Sequence, residues 1–449
     1  MFFRSWKGAL CGALLGANSV AAIDLDLGQP DSIKKAAQTV AKGMRKYYTG
    51  DKPGDIPGNL PDPYYWWEAG AMFGSFIDYW YYTKDTQFND ITTQALLHQV
   101  GANKAFMPDN QTRTLGNDDQ AFWGMAALTA AENGFPDPPP DQPQWLALAQ
   151  AVFNTQAPRW DNATCNGGLK WQIYPFNNGY NYKNTISNGC FFNMAARLGR
   201  YTGNQSYVNW ADEMWDWTAG SGLMSDDYHF YDGTDDRQNC SEVNHIQWTY
   251  NAGVYLYGAA TMWNITNADK WRKRTEGIIA GLSVFFEGEI MFEVACEVTG
   301  TCNVDQRSFK AYLSRWMAAT VKVASWTNEL LMPRIRSSAK AAALQCSGAP
   351  DGVTCGLRWT AGAAYDGEAG VGEQMSALEV IQANLIDKVD GPVTANNGGT
   401  SKGDAGAGAE EVVNPRTYNV ITTGDKVGAG FLTTILLAGL LGGAWWMIA

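Results

Sequence analysis

The segment Gly253-Val254-Tyr255-Leu256-Tyr257-Gly258-Ala259-Ala260 carries no charge and no proline over about two turns of helix. A helix that is apolar on every side is buried. Close behind it, Asp269-Lys270-Trp271-Arg272-Lys273-Arg274 is rich in charge. Such a composition is typical of a helix with one face in solvent. A buried helix followed by an exposed one is therefore the predicted building unit of the fold.

The same unit recurs along the chain. Helical periodicity dominates from Asp31 to about Lys388, and the alternation typical of strands is scarce. The apolar helices start near residues 65, 118, 184, 247, 308 and 371, at intervals of 53, 66, 63, 61 and 63 residues. This repeat predicts an all-α fold, an (α/α)6 barrel of six inner and six outer helices. The twelve predicted helices span roughly 31–49, 65–83, 89–103, 118–133, 144–156, 184–202, 205–218, 247–266, 268–286, 308–325, 328–345 and 371–387.

Composition agrees with one large helical barrel, or with two to three average domains. The chain has 449 residues, and 45% of them are hydrophobic, which excludes disorder for most of the chain. Its formal net charge is −12, and an acidic chain without a basic patch argues against a nucleic-acid partner. The 19 tryptophans are far more than ordinary usage, so their positions call for an explanation.

The N-terminus is typical of a signal peptide. Residues 1–22 contain Arg4 and Lys7, then a short apolar run, then small residues suited to cleavage. The alternative is an N-terminal anchor helix, but the apolar run is too short to span a bilayer. The mature domain is therefore expected to begin at residue 23 and to continue to about residue 390.

The C-terminus is typical of a GPI-anchor signal. Residues 391–426 are rich in small residues and are predicted to form a mobile, low-complexity stalk with the attachment region. Residues 427–449 form an apolar tail that no Lys or Arg follows. This arrangement favours GPI attachment over a simple tail anchor. The candidate attachment residues are Gly403, Gly406, Gly408 and Gly424.

Cysteines and glycosylation motifs fit an extracellular protein. Two pairs each bracket a short loop and are predicted local disulfides, Cys296–Cys302 and Cys346–Cys355. The pairing of three other cysteines stays open. Cys165 and Cys240 lie in polar segments and could form a disulfide with each other. Cys190 lies in an apolar run, which favours a buried free thiol. The predicted N-glycosylation sites are Asn110, Asn162, Asn204, Asn239 and Asn264.

All inner helices of such a barrel point the same way, so their first residues share one end. These starts combine aromatic rings with amides and carboxylates, a composition typical of a sugar-binding cleft. Helix capping with core aromatics explains any one start but explains six on one face poorly. The residues predicted from these starts and the motifs near them to bind substrate are Trp66, Trp67, Asn117, Gln120, Trp123, Trp171, Asn184, Asn188, Trp248, Tyr250 and Asn251.

Two further segments are expected near this end. The acidic, aromatic loop 226–237 could contact substrate through Asp232, bind Ca²⁺ or remain a solvated loop, and its spacing is not that of an EF-hand. Arg358 and Trp359 precede the last inner helix and could contact substrate or stack on the surface. The histidines show no metal-ligand spacing, so neither a metal nor a cofactor is expected. A GxSxG match at 399–403 lies in the predicted stalk and is interpreted as chance.

The sequence Asn117-Asp118-Asp119-Gln120 opens the second inner helix. It is consistent with a capping box of Asn117 and Gln120, in which the two acids only complement the helix N-terminus. The other interpretation is catalytic, because a retaining glycosidase needs two carboxyls about 5–5.5 Å apart. The helix end would favour an ionised nucleophile, whereas repulsion and burial would raise the pKa of the other carboxyl. These residues alone do not assign the two roles.

Four motifs resemble the fungal endo-1,6-α-mannosidases of glycoside hydrolase family 76. They are Gly116-Asn117-Asp118-Asp119-Gln120-Ala121-Phe122-Trp123, Gly168-Leu169-Lys170-Trp171-Gln172-Ile173, Tyr182-Lys183-Asn184-Thr185-Ile186-Ser187-Asn188-Gly189 and Trp248-Thr249-Tyr250-Asn251. The resemblance covers about residues 23 to 390. It implies an (α/α)6 barrel and a retaining mechanism on α-1,6-mannan, with Asp118 as nucleophile and Asp119 as general acid/base.

Both end signals also resemble those of the family's GPI-anchored cell-wall group. For that group the resemblance implies transglycosylation, with α-1,6-mannan or a GPI-core glycan as donor and β-glucan as acceptor. It also implies membrane association through a GPI anchor, at the outer face of the plasma membrane and in the cell wall. Hydrolysis and transfer begin with the same glycosyl-enzyme, so both stay open. The alternatives are a mannan-binding wall protein without turnover and an inverting glucosidase on the same barrel.

Overall fold

A computed structural model of the chain describes residues 22–409 and 423–448. Residues 1–21 of the predicted signal peptide therefore lie outside the described residues. Six helices form an inner set: α2 Trp66–Thr83, α4 Asn117–Asn133, α6 Thr185–Thr202, α8 Thr249–Thr266, α10 Phe309–Val323 and α12 Val371–Gln382. Six others surround them: α1 Pro30–Arg45, α3 Asn89–His98, α5 Trp145–Gln156, α7 Gln205–Gly220, α9 Asp269–Gly281 and α11 Asn328–Gln345.

The inner helices form a closed ring. Each packs against the next one in chain order, and α12 packs against α2 to complete the circle. Each outer helix packs on an inner neighbour, as α9 does on α8. The segment 253–260 in α8 is buried at every position, whereas Arg272 and Lys273 in α9 are exposed. The predicted all-α (α/α)6 barrel is confirmed.

Glycines of the inner helices let aromatic rings approach the backbone. A Cβ atom on Gly70 would lie 2.7 Å from the indole of Trp123, and one on Gly258 would lie 2.4 Å from the ring of Phe192. Since real Cβ contacts are not this short, the rings occupy the space that glycine leaves. Much of the unusual aromatic content is therefore packing between helices.

Short antiparallel strands connect the loops at the ends of the barrel. A three-stranded sheet joins β1 Tyr182–Asn184, β2 Gly233–Asp235 and β3 Val243–Asn244 in that order. It links the loops that lead into α6 and α8. Two two-stranded sheets pair β4 Phe286–Glu287 with β5 Ile290–Met291, and β6 Cys346–Gly348 with β7 Thr354–Cys355.

Three disulfides connect loops of the described chain. The two predicted local pairs are present, Cys296–Cys302 and Cys346–Cys355. Cys165 pairs with Cys240, 75 residues away, and so ties the loop before β1 to the loop between β2 and β3. Cys190 is a buried free thiol in α6, as its apolar surroundings favoured.

Buried ion pairs occupy the barrel end at which the inner helices finish, here named the closed end. Arg315 lies 2.6 Å from an oxygen of Asp78 and 2.8 Å from one of Glu379. Arg197 lies 2.6 Å from Glu132, and both side chains are buried. Because each carboxylate has a guanidinium partner, these groups satisfy one another inside the fold.

Residues 391–409, here named the C-terminal strap, lie on the barrel. The backbone N–H of Val393 donates to the carbonyl of Glu132 (2.7 Å), and that of Ala395 donates to the carbonyl of Tyr201 (2.9 Å). Farther along, the Ser401 hydroxyl accepts from the N–H of Leu146 (3.0 Å) at the start of α5. The prediction of a mobile stalk from residue 391 is therefore wrong for this segment, and the packed domain extends beyond residue 390.

Small residues explain why the strap was predicted to be mobile and also why it packs on the barrel. A Cβ on Gly403 would lie 2.7 Å from Gln150 Oε1, and one on Gly408 would lie 2.7 Å from the carbonyl oxygen of Ala151. Glycine lets the strap lie flat along α5, where composition alone suggested flexibility. The Asn154 Nδ2 group donates to the carbonyl of Ala407 (2.8 Å) and fixes the end of the strap.

The predicted signal tail lies in a last helix, α13 Thr423–Ile448. Its segment Lys426–Trp445 is 20 residues long and, by length and composition alone, apolar enough to cross a membrane. GPI attachment stays a prediction, as does glycosylation. All five predicted glycosylation asparagines are exposed, Asn110, Asn162, Asn204, Asn239 and Asn264.

Candidate active site

A cavity of about 200 Å³ lies at the end of the barrel where the inner helices begin, here named the open end. Aromatic rings, an aliphatic side chain, an amide and four aspartates surround it. The lining residues are Trp67, Asp118, Asp119, Phe122, Trp171, Tyr182, Asn184, Ile186, Asp232, Tyr250, Asp305 and Phe309. This combination suits a ligand with one apolar face and many hydroxyls.

Helix α4 begins one residue earlier than the proposed capping box requires. Gly116 is the N-cap, with extended backbone, and its N–H donates to Asp119 Oδ2 at 2.7 Å. Asp119 is therefore the reciprocal cap, because it is the third residue after the cap. The proposed capping roles of Asn117 and Gln120 are wrong.

Asn117 and Gln120 are buried structural residues. Asn117 Nδ2 donates to the carbonyl of Lys170 (2.8 Å), and its Oδ1 accepts from Arg159 (2.7 Å). Gln120 Nε2 donates to the carbonyl of Ala105 (2.7 Å). Their amides hold neighbouring loops against α4 and do not line the cavity, which corrects their prediction as substrate contacts.

The Asp118 carboxylate is held between two helix N-termini. Its Oδ1 accepts from the N–H of Asp119 (3.0 Å), and its Oδ2 accepts from Asn184 Nδ2 (2.8 Å). Asn184 is itself the N-cap of α6 and accepts from the N–H of Ser187 (3.3 Å). Because a Cβ on Gly116 would lie 2.4 Å from Asp118 Oδ1, glycine at the cap is what leaves room for this carboxylate.

The two adjacent acids have different proton affinities. Burial raises the pKa of Asp118 to about 6, although hydrogen bonds from Asn184 and Asp119 oppose the shift. Burial, and next the charge of Asp118, raise the pKa of Asp119 well above its usual range. Lys170 and Lys183 form ion pairs with Asp161 rather than with either of these two acids. Asp118 therefore ionises first, and Asp119 holds its proton to higher pH.

Asp232 is presented to the cavity by the three-stranded sheet. Its carboxylate accepts from Tyr182 Oη (2.6 Å), Trp248 Nε1 (2.9 Å) and Asn244 Nδ2 (3.2 Å). Burial nevertheless raises its pKa. Trp248 thus orients Asp232 and does not itself line the cavity. Of the readings open for loop 226–237, the structure places Asp232 where a substrate contact requires it.

Five of the predicted substrate-binding residues line this cavity. They are Trp67, Trp171, Asn184, Asp232 and Tyr250. Tyr250 stacks on Phe309, with ring centroids 3.9 Å apart and planes at 10°. The sequence analysis missed five lining residues, Phe122, Tyr182, Ile186, Asp305 and Phe309. Three of them, Phe122, Tyr182 and Ile186, stand in the motifs quoted above.

Other predicted substrate contacts lie in the core or away from the cavity. Trp123 is fully buried and stacks on Trp66 at 5.1 Å. Asn188 Oδ1 accepts from the N–H of Leu169 (2.7 Å) and so fixes the loop that carries Trp171. Asn251 and Trp359 are buried, and the ammonium group of Lys310 lies over the ring of Trp359. Arg358 is exposed, and its backbone N–H donates to Asp366 Oδ2. Composition cannot separate a ring that faces a cavity from one that packs on a helix.

A second cavity of about 440 Å³ adjoins the first. Its lining includes three exposed or partly exposed residues of the rim, Tyr65, Gln111 and Arg113, and also Trp66. Four residues line both cavities: Trp67, Asp119, Trp171 and Asp305. Asp118 lines only the first. Asp118 thus contacts one of the two cavities, whereas Asp119 contacts both.

The chain matches known glycosidases over most of its length. Residues 32–396 match Glycosyl hydrolase family 76. Mannan endo-1,6-alpha-mannosidase DCW1 of Saccharomyces cerevisiae is 46% identical over 443 residues, which cover 98% of each chain. Mannan endo-1,6-alpha-mannosidase DFG5 of Candida albicans is 43% identical and covers 97% of each chain.

A solved structure shares both the fold and the sequence. The crystal structure of Dfg5 from Chaetomium thermophilum in complex with glucosamine superposes with a TM-score of 0.83 and 46% identity, covering 85% of this chain and 97% of that one. The GH76A alpha-1,6-mannanase of Salegentibacter has a TM-score of 0.61 at 16% identity, covering 79% of this chain and 99% of that one, and so shows the fold alone. The chain is therefore a glycosidase and belongs to glycosyl hydrolase family 76.

Proposed function

We propose that the protein cleaves α-1,6-linked mannose chains with retention of configuration and passes the released chain end to a sugar acceptor. The observation that carries the proposal is the adjacent pair Asp118 and Asp119, one ionising first and the other retaining its proton, in a cavity walled by aromatic rings. The proposed linkage follows the names of the relatives that match nearly the whole chain.

The first chemical step uses both carboxyls. The Asp118 carboxylate attacks the anomeric carbon and forms a glycosyl ester. Asp119 gives its proton to the glycosidic oxygen, and the bond from that oxygen to the anomeric carbon breaks. A buried carboxylate at a helix N-terminus is suited to the first role, and a carboxyl whose pKa is raised by burial and a neighbouring charge is suited to the second.

The second step regenerates the enzyme. Asp119, now ionised, takes a proton from water or from a sugar hydroxyl, whose oxygen attacks the same carbon and displaces Asp118. Water gives hydrolysis and a sugar hydroxyl gives transfer. The second cavity supports transfer, because it offers space beside Asp119 for an incoming sugar.

We assign a GPI-core mannose chain as donor and cell-wall β-glucan as acceptor. Residues 1–22 would direct secretion, and a GPI signal ending in α13 would place the enzyme on the outer face of the plasma membrane and in the cell wall. A segment in α13 long and apolar enough for such a signal supports this placement.

The test is a donor–acceptor incubation analysed by mass. The purified protein is given a GPI-core mannose oligosaccharide and a β-1,3-glucan oligosaccharide in water enriched in ¹⁸O. Transfer predicts a product with the summed mass of donor fragment and acceptor, without ¹⁸O. If the donor fragment appears only as a free sugar with ¹⁸O at its new reducing end, and no transfer product forms, the transfer role is refuted and the protein is a hydrolase.

The rival function is mannan binding without turnover. Asp118→Asn and Asp119→Asn variants keep the shape of the cleft and remove the chemistry. If wild type neither cleaves nor transfers α-1,6-mannotetraose while both variants bind it, the binding role is correct. Asp387→Asn, an exposed position in the helical turn after α12, is the matched control.

A further inference from the structure

Asp305 faces the aspartate pair from the opposite side of the barrel mouth. In the closed ring α2–α4–α6–α8–α10–α12, helix α10 stands opposite α4. Phe122 of α4 and Tyr312 of α10 meet across the interior, with ring centroids 4.9 Å apart. Asp305 lies just before α10, and Asp118 and Asp119 lie at the start of α4. A sugar bound against the pair therefore presents its other side to Asp305.

The surroundings of Asp305 hold it rigidly. Its backbone carbonyl accepts from both the N–H (3.0 Å) and the hydroxyl (2.6 Å) of Ser308. Its Oδ1 accepts from Trp67 Nε1 at 3.1 Å. Asn303 and Gln306 exchange side-chain-to-backbone hydrogen bonds around it at 2.9 and 3.0 Å. The carboxylate is thus fixed in direction before any ligand arrives.

Among residues 22–409 and 423–448, no Lys or Arg forms an ion pair with Asp305. Arg307, two residues along, forms ion pairs with Glu368 (2.6 Å) and Glu373 (3.1 Å). Burial raises the pKa of Asp305 to about 6, so its placement costs stability. A carboxylate held by an indole alone, in the wall of a cleft, is better explained by a ligand than by packing.

The two cavities divide the substrate at the bond that breaks. Asp118 lines only the first cavity, so the sugar that becomes bonded to it occupies that cavity. Asp119 donates to the oxygen that leads to the next sugar, and Asp119 also lines the second cavity. Asp305, like Asp119, lines both cavities, so it stands where the leaving sugar would meet the sugar bonded to Asp118.

We propose that Asp305 binds adjacent hydroxyls of the leaving sugar, and then of the incoming acceptor sugar, and so favours a sugar over water. This inference rests on the proposed function. A carboxylate has two oxygens that accept from hydroxyls, and only one of these oxygens is held by Trp67. Two neighbouring hydroxyls of a hexopyranose can donate to both carboxylate oxygens at once, whereas a single water leaves part of this acceptor unpaired.

The first experiment compares two donors on Asp305→Asn and Asp305→Ala. In α-1,6-mannotetraose the leaving group is a sugar, whereas in α-mannobiosyl fluoride it is a fluoride ion. We expect kcat/KM on the tetraose to fall about tenfold or more, and the ratio of transfer to hydrolysis to fall with it, because hydrogen bonds to a charged carboxylate are among the stronger ones. Release of fluoride should change less than about twofold.

A pH profile adds a readout that a purely structural role would not move. The charge of Asp305 contributes to the raised pKa of Asp119, after burial and Asp118. Removal of that charge in Asp305→Asn should lower the pKa of Asp119, so the alkaline limb of kcat/KM should move to lower pH. The Asn variant keeps an oxygen for Trp67, and Asp387→Asn controls for loss of one acidic charge.

Distinct outcomes separate this inference from the proposed function. Equal losses on both donors, or no loss on either, would overturn the role of Asp305 while the wild-type activity stands. A wild type that acts on neither donor would refute the proposed function itself. Unchanged thermal unfolding of Asp305→Asn shows that any loss of rate is not a loss of fold.

Discussion

The two ends of the barrel use acidic side chains in opposite ways. At the closed end Glu132 pairs with Arg197, and Glu379 pairs with Arg315. At the open end Asp118 and Asp232 are held by amides, an indole and a phenol, which are neutral. A guanidinium offsets the cost of burying its partner's charge, whereas neutral donors leave an acid without a countercharge. At these positions the acids paired with arginines support the fold, and the acids held by neutral donors line the cavity.

The largest effect should come from breaking an ion pair of the closed end. Arg197→Met leaves Glu132 buried without a partner, which should cost about 3–5 kcal/mol of unfolding free energy. Urea unfolding measures it. Asp118→Asn is the matched change at the open end, and it should leave the free energy of unfolding equal or higher, because no countercharge is stranded. A similar loss in both variants would contradict the distinction between the ends.

A smaller effect is expected from crowding the open end without touching its charges. In Gly116→Ala the new Cβ would lie 2.4 Å from Asp118 Oδ1, so the carboxylate must move. We expect kcat on α-1,6-mannotetraose to fall about 10- to 100-fold, since misplacement of a reacting group by about 1 Å has this effect. Gly70→Ala, a core glycine, should instead lower stability more than it lowers the activity of the folded enzyme.

The pH dependence should report the open end alone. Asp118 must be ionised, so kcat/KM should fall as pH drops through about 6, by about tenfold per unit once fully protonated. Asp119 must be protonated, so activity should fall again as pH rises through its raised pKa. Initial rates between pH 4 and 9 measure both limbs. A flat profile below pH 6 would show that Asp118 is not the group that must ionise.

The smallest effect concerns the C-terminal strap, which contacts the closed end through Val393 and Ala395. Ser401→Ala removes the acceptor of the Leu146 N–H, at a cost of about 1 kcal/mol. A lower thermal midpoint with unchanged kcat is expected. Lys402→Ala, at an exposed neighbouring residue, is the control. No change in the midpoint for Ser401→Ala would mean that the strap adds nothing to stability.

The sequence predicted the closed ring of inner helices because the repeat of buried and exposed segments is a property of whole helices. It misassigned single residues wherever a one-residue shift or a close contact decided the role. The cap of α4 is Gly116 rather than Asn117, and this moves the capping carboxyl to Asp119. Trp123 matches a cleft aromatic in composition, yet it fills the space left by Gly70. Asp305 lies three residues before the predicted helix start near residue 308, and so it was not among the candidates.

The docked strap also shortens the stretch of chain between the barrel and α13. Along α5 the strap runs from Leu146, at the closed end, toward Asn154, near the open end. The 13 residues 410–422 then separate it from α13. Fully extended, they reach at most about 45 Å, against about 110 Å for a tether beginning at residue 391. With a GPI anchor at Gly424, the second residue of α13 and the one candidate attachment residue beyond the strap, the fold rather than the composition of the tail would set the working height of the cleft above the lipid surface.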